Sequence, residues 1–213
     1  MEKLVNCVFS DHLKEVLPME EKLNLNLVDQ AKRYVTELFE NNVDGHDLDH
    51  TLRVYKNALK IAQDYPDSDI LVVSLAALLH DVDDHKLFKT ENNANARKFL
   101  TSQNVDETVI EKICQVINSV SFSKNRGKRP ELLEGKIVQD ADRLDALGAI
   151  GIARTFAYGG KNNRPIASSV DHFHEKLLLL KDEMNTRKGK ALAEKRHEFM
   201  LKFLQNFREE TKL

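Results

Sequence analysis

An all-α fold, one helical domain of ordinary size, is what this sequence predicts, and three observations predict it. Glycine and proline are scarce, 8 and 4 among 213 residues, about half of the roughly 12% that average usage would give. Apolar residues recur at the three-and-four spacing of helices along most of the chain. The four prolines, Pro18, Pro66, Pro130 and Pro165, fall between those periodic segments, where a missing N–H does a helix no damage. The 41% hydrophobic and 31% charged content is that of a folded chain and not of a disordered one. A chain of this length buries most of its apolar surface in one core.

Each element follows from local pattern. Residues 1–24 form an N-terminal segment, helical or partly ordered, and residues 25–213 form the domain. Leu27, Ala31, Tyr34, Val35, Leu38 and Phe39 mark a first amphipathic helix. After Asn41, Asn42 and Gly45 a second carries Leu52, Val54, Tyr55, Ala58, Leu59 and Ala62, and Pro66 stops it. Asp67 or Ser68 caps the third helix. That helix, residues 70–81, is apolar nearly all round and is expected to run through the core. Ala94, Ala96, Phe99 and Leu100 mark a fourth; Asp106 opens a fifth with Ile110, Ile113, Cys114, Ile117 and Val120. Residues 121–134, polar and basic with Gly127 and Pro130, read as a loop. One sixth helix is expected from near Lys136 through Ala141, Leu144, Leu147, Ile150 and Ala153 to a stop at Gly159-Gly160. Residues 161–168 read as a loop, and 170–210 as two charged helices or one broken helix packed on the same domain.

Several function classes fall away. A formal net charge of −2 gives no general pull towards a nucleic-acid polymer or an anionic membrane. No run reaches eighteen apolar residues, and residues 1–18 lack the layout of a signal peptide. Cys7 and Cys114 make neither a metal motif nor a disulfide framework, so a cytoplasmic address is expected. Residues 177–180 offer an apolar face for a partner helix, which leaves a homo-oligomer open.

Chemistry concentrates at histidine and aspartate. His46, Asp47, Asp49 and His50 stand together; His80 and Asp81 end the most apolar helix and are followed by Asp83, Asp84 and His85. Asp140, Asp142 and Asp145 interrupt another apolar helix. Charged groups are seldom buried unless paired or metal-bound. Three helices offering His50, His80, Asp81 and Asp142 would supply two imidazoles and two carboxylates. That set suits Mn²⁺, Fe²⁺, Ni²⁺, Zn²⁺ or Mg²⁺ better than a thiolate-seeking metal. Adjacent helical residues point about 100° apart, so His80 and Asp81 can share an ion only at the helix end.

The order His50, His80-Asp81, Asp142 resembles the H…HD…D signature of the HD-domain metal-dependent phosphohydrolases. More locally, His46-Asp47-x-x-His50-x-x-Arg53-Val54, Ala77-Leu78-Leu79-His80-Asp81 and Asp140-Ala141-Asp142-Arg143-Leu144-Asp145-Ala146 resemble a bacterial branch of small cytoplasmic HD hydrolases, the YpgQ- and YedJ-like proteins. The likeness covers roughly residues 25–205, weakening in the C-terminal helices. It implies a single HD-domain helical bundle with additional C-terminal helices. It also implies metal ligation by His50, His80, Asp81 and Asp142, with Asp140 the rival for the last place. His46 and Asp47 take a capping or supporting role. No histidine lies within residues 111–124, which favours one metal ion over two, Mn²⁺ first among the candidates.

The expected function is metal-dependent hydrolysis of a small phosphorylated metabolite, a nucleotide foremost. Asp81 and Asp84 are the expected catalytic carboxylates, Asp84 as an acid/base one turn beyond the HD pair. Lys124, Arg143 and Arg154 are the expected phosphate contacts, chosen from a set that includes Arg53, Arg126, Lys128, Arg129, Lys161 and Arg164. Phe122, Phe156 and Tyr158 can stack on a base or pack internally. Resemblance to the bacterial branch implies pyrophosphate release from nucleoside triphosphates. 5′-Nucleotidase and cyclic-nucleotide phosphodiesterase activity are the hydrolytic alternatives; a non-catalytic nucleotide-binding signalling module and an iron oxygenase are those of other classes.

Overall fold

A computed structural model of the chain describes residues 18–40, 48–85, 87–122, 124–125 and 127–211. Among these residues there are nine α-helices, one 3₁₀ segment and no strand. The helices are α1 Met19–Phe39, α2 Leu48–Ala62, α3 Ile70–Leu79, α4 Ala94–Ser102 and α5 Glu107–Val120. They continue as α6 Leu133–Asp145, α7 Gly148–Lys161, α8 Ile166–Glu175, the 3₁₀ segment Leu177–Glu183, and α9 Arg187–Thr211. Cys7, Asn41, Asn42, Gly45, His46, Asp47 and Arg126 lie outside the described residues.

The organising element is α3. Asp69, one residue later than expected, caps it by accepting the N–H groups of Leu71 and Val72 at 3.1 and 3.2 Å. Every residue from Val72 to Leu79 is buried, as an all-round apolar helix requires. Leu75, Leu78 and Leu79 are fully buried, each contributing about 1.5–3 kcal/mol against exposure. α1, α2, α5 and α6 pack around α3, and α2 and α6 also pack on each other. The C-terminal end of α3 therefore emerges between α2 and α6.

α1 runs from Met19 to Phe39. Two sequence expectations are corrected. The expected sixth helix is two helices. α6 ends at Asp145 and α7 starts at Gly148, whose φ of +73° breaks the helical path; left-handed backbone is the conformation in which glycine carries no Cβ penalty. The C-terminal stretch forms two α-helices, α8 and α9, as expected, with the 3₁₀ segment between them. The apolar run 177–180 faces inward at Leu177 and Leu180, 4% and 1% exposed, with Leu179 turned outward. Gly159-Gly160 does fall close to a stop, with α7 ending at Lys161.

The C-terminal layer is fastened to α6 and α2 by polar clasps. Asp140 accepts the backbone N–H groups of Asn185 and Thr186, both at 2.8 Å, at the entrance to α9. Arg143 donates to the Glu183 carbonyl, and Arg196 donates to the Leu144 carbonyl and to Asn57 Oδ1. No helix among the described residues is long and apolar enough to cross a membrane.

Candidate metal centre

Three mutually packed helices each bring a part of the site. α2 supplies His50 from its first turn, α6 supplies Asp142 from its last, and the end of α3 supplies His80 and Asp81. α3 stops at Leu79, with His80 at the C-cap and the Val82 N–H bonded to the Leu79 carbonyl. The pair thus sits on a turn, where adjacent side chains can converge. His50 Nε2 lies 3.3 Å from His80 Nε2, 3.5 Å from Asp81 Oδ2 and 3.4 Å from Asp142 Oδ1. His80 Nε2 lies 3.4 Å from Asp81 Oδ2 and 4.0 Å from Asp142 Oδ1. Ligands at about 2.0–2.2 Å from one ion stand about 3.0–3.6 Å from each other, which is nearly the spacing of this set.

The electrostatics ask for a cation. Burial alone would push both imidazole pKa values down. The carboxylates of Asp142, Asp145 and Asp81 outweigh it at His50, and those of Asp81 and Asp142 at His80, so both are raised. Burial would raise Asp142, yet its bond to His50 lowers it. His80 Nδ1 donates to the Ala77 carbonyl at 2.9 Å, an acceptor only, so Nε2 of the neutral ring faces the cluster with its lone pair. His50, His80 and Asp142 could hold a metal ion between them, with the Asp81 carboxylate beside both imidazoles, and such nitrogen and oxygen donors suit a divalent ion of the Mn²⁺, Fe²⁺, Ni²⁺, Zn²⁺ or Mg²⁺ kind. Side-chain exposure rises from 2% at His50 to 23% at Asp142, so substrate can approach from the Asp142 side.

The other expected residues divide. Asp140 is fully buried on a different face of α6, its carboxylate engaged by Asn185 and Thr186, and does not join the cluster. Asp84 stands beside it: its N–H is bonded to the Asp81 carbonyl at 3.1 Å, and its carboxylate is 3.8 Å from His85 Nδ1. Arg154 is brought in, with Nη1 2.5 Å from Asp145 Oδ2 and 3.0 Å from His50 Nδ1. Arg143 is not brought in, because it is 3% exposed and held by Glu183. Lys124 is exposed on the loop after α5. Phe156 packs against Phe173, Phe203 and Phe207, and Phe122 lies under the Lys176 ammonium. Tyr158 is exposed beside Arg164.

Asp145 is the site residue that inspection of the sequence passes over as one more carboxylate. It is 1% exposed and joins His50, Arg53 and Arg154. Arg53 therefore braces a carboxylate, as its place one turn after His50 allows, although not a carboxylate of the converging four. The break between α6 and α7 makes the Arg154 contact possible. In one continuous helix, residues 145 and 154 would stand about 13 Å apart along the axis.

The HD domain family matches residues 47–147 of the chain. The Bacillus subtilis protein YpgQ is 38% identical over 190 residues, spanning 85% of this chain and 92% of its own. The crystal structure of YpgQ in complex with ADP superposes with a TM-score of 0.77 at 33% identity, covering 89% of this chain and 97% of that one. The crystal structure of an HD-superfamily hydrolase from Bacillus thuringiensis superposes with a TM-score of 0.72 at 38% identity, covering 88% and 97%. With the family's His, His-Asp, Asp order converging at one point and such relatives matching over nearly their whole length, this chain belongs to the HD-domain family.

Proposed function

We propose that the chain is a cytoplasmic, mononuclear divalent-metal phosphohydrolase whose substrates are nucleotides, foremost nucleoside triphosphates cleaved with release of pyrophosphate. The observation that carries the reading is the convergence of His50, His80, Asp81 and Asp142, each Nε2 within 4.0 Å of both carboxylates. A divalent ion held by these residues, Mn²⁺ first among them, supplies Lewis-acid polarisation of a phosphoryl oxygen and a bound water of lowered pKa.

The surrounding side chains have separable tasks. Asp84, one turn beyond Asp81 and outside the converging set, takes the proton of the attacking water and returns it to the leaving group. Arg53 and Arg154, 31% and 29% exposed at the side chain, put guanidinium charge beside the cluster, where phosphate oxygens spreading from it are met. Lys124 reaches for a distal phosphate from its exposed loop. Arg143 drops out of the phosphate set, since its fork is committed to the 3₁₀ segment. The ADP bound in the YpgQ structure supports a nucleotide as ligand.

The test is a panel of nucleoside triphosphates, monophosphates, cyclic nucleotides and simple esters with Mn²⁺, scoring phosphate against pyrophosphate. Pyrophosphate from triphosphates is the expected result. Phosphate from monophosphates would make the protein a 5′-nucleotidase, and ring opening a phosphodiesterase. Nucleotide binding without turnover would make it a signalling module. Two bound irons with oxygen-dependent turnover would sink the hydrolase reading altogether.

A further inference from the structure

Asp145 occupies the last position of α6, three residues beyond Asp142, and its carboxylate is surrounded by donors. Oδ2 accepts from His50 Nδ1 at 2.7 Å, from Arg154 Nη1 at 2.5 Å and from Arg53 Nη2 at 3.1 Å. Oδ1 accepts from Arg53 Nε at 2.7 Å. Arg154 Nη1 is also 3.0 Å from His50 Nδ1, but both atoms are donors in this arrangement, and what they share is the Asp145 oxygen. Two guanidiniums on one carboxylate leave it no proton to offer. Asp145 therefore accepts from the imidazole, and the ring proton resides on Nδ1. The lone pair of the neutral ring is then on Nε2, the atom that meets His80, Asp81 and Asp142.

We propose that Asp145 is a positioning residue for the metal ligand His50, fixing its tautomer and ring plane, at a corner that Arg53 and Arg154 complete. The proposal rests on the metal-site reading above. It differs from a plain corner anchor joining α2, α6 and α7 in what it ties to the carboxylate: the ligand's protonation pattern and the ion's affinity.

Three proteins separate these roles: the full chain, Asp145→Asn, and Arg53→Met, which weakens the corner but leaves the carboxylate on His50. Each is titrated with Zn²⁺ and Mn²⁺, and the histidine ring nitrogens of the Zn²⁺-loaded protein are assigned by ¹⁵N NMR. The parent is expected to take up one ion and to show His50 protonated at Nδ1. Asp145→Asn is expected to lose affinity by about 10–100-fold with the His80 ring unchanged, and Arg53→Met to stay within about threefold of the parent.

The proposal is overturned by a folded Asp145→Asn protein with the parent's affinity, by Arg53→Met losing as much as Asp145→Asn, or by a loaded parent whose His50 proton is on Nε2. If Asp145→Asn does not fold, the parent's spectrum decides alone. A parent that binds no divalent ion removes the metal-site reading itself, an outcome distinct from all of these.

Discussion

At the turn that ends α3, two carboxylates three residues apart have different proposed tasks, and substitution separates them. Asp81→Ala removes a donor from the converging set, so the protein should lose both bound metal and turnover. Asp84→Ala should keep the metal and lose about 10²–10⁴-fold in rate, the usual worth of a positioned acid/base. Metal content after gel filtration, measured with turnover on the same sample, distinguishes the two; full activity with bound metal in Asp81→Ala would refute the ligand assignment. Much of this site is legible in the sequence. Histidine and aspartate at the end of an apolar run demand a partner, and an apolar helix with acidic interruptions supplies one. Which acidic residue of α6 faces the cluster follows from helical angle: Asp140 lies about 200° round the helix from Asp142, whereas Asp145 lies about 60° from it. That signal was present for both residues. Arg143 was less legible, because its burial depends on Glu183, which is forty residues away and belongs to a 3₁₀ segment that no periodicity announces.

The helices matter through their ends. α3 delivers His80 and Asp81 from one terminus, and its other terminus is held by a second polar cluster far along the chain. Glu134 accepts the Asp69 N–H and the Lys112 ammonium, both at 3.0 Å, which joins the α3 cap to α5 and to the start of α6. Burial by itself would raise the Glu134 pKa, but the backbone N–H groups of Glu134 and Asp69 and the Lys112 charge prevail and lower it. A lowered folded pKa means that the stabilisation is complete above the unfolded value of 4.5 and disappears as pH falls through the folded one. Glu134→Gln should therefore cost about 1–2 kcal/mol at neutral pH, and its deficit against the parent should close as both are acidified below that range. Urea melts at pH 7 and through a descending series of acid pH values measure this; a deficit independent of pH would mean that the carboxylate charge contributes nothing. The α6–α7 break is the feature of this scale least visible in sequence. Gly148 opens α7 at φ +73° and is covered by the Arg196 side chain, whose Cγ lies 3.1 Å from where a Cβ would stand. The apolar period runs on through Leu147 and Ile150, so only packing of the C-terminal layer reveals that the chain turns.

Across the whole molecule, α6 is shared between two structures: one side carries Asp142 of the His–Asp cluster and another receives the C-terminal layer. Asp140 and Asp142 express that division two residues apart. Asp140 is fully buried and accepts the Asn185 and Thr186 N–H groups, the Asn185 side-chain amide at 2.9 Å and the Thr186 hydroxyl at 2.6 Å. A Cβ at Gly189 would run into its carboxylate, so the first turn of α9 is shaped around it. Asp140→Ala leaves the buried Thr186 N–H and the half-buried Asn185 N–H without their acceptor and should destabilise the fold by about 3 kcal/mol, lowering Tm by about 6–12 °C for a chain of this size. It should still bind one metal ion below its own melting temperature, because no ligand has been touched. Asp142→Ala should do the reverse: its carboxylate is partly exposed and accepts from no backbone N–H among the described residues, so Tm of the metal-free protein should move little while metal binding is lost. Calorimetric melts of the metal-free proteins beside Mn²⁺ titrations of the folded ones give both quantities for each variant. Metal loss in Asp140→Ala together with retention in Asp142→Ala would exchange the two assignments, and the ligand face of α6 would then be the one that now meets α9.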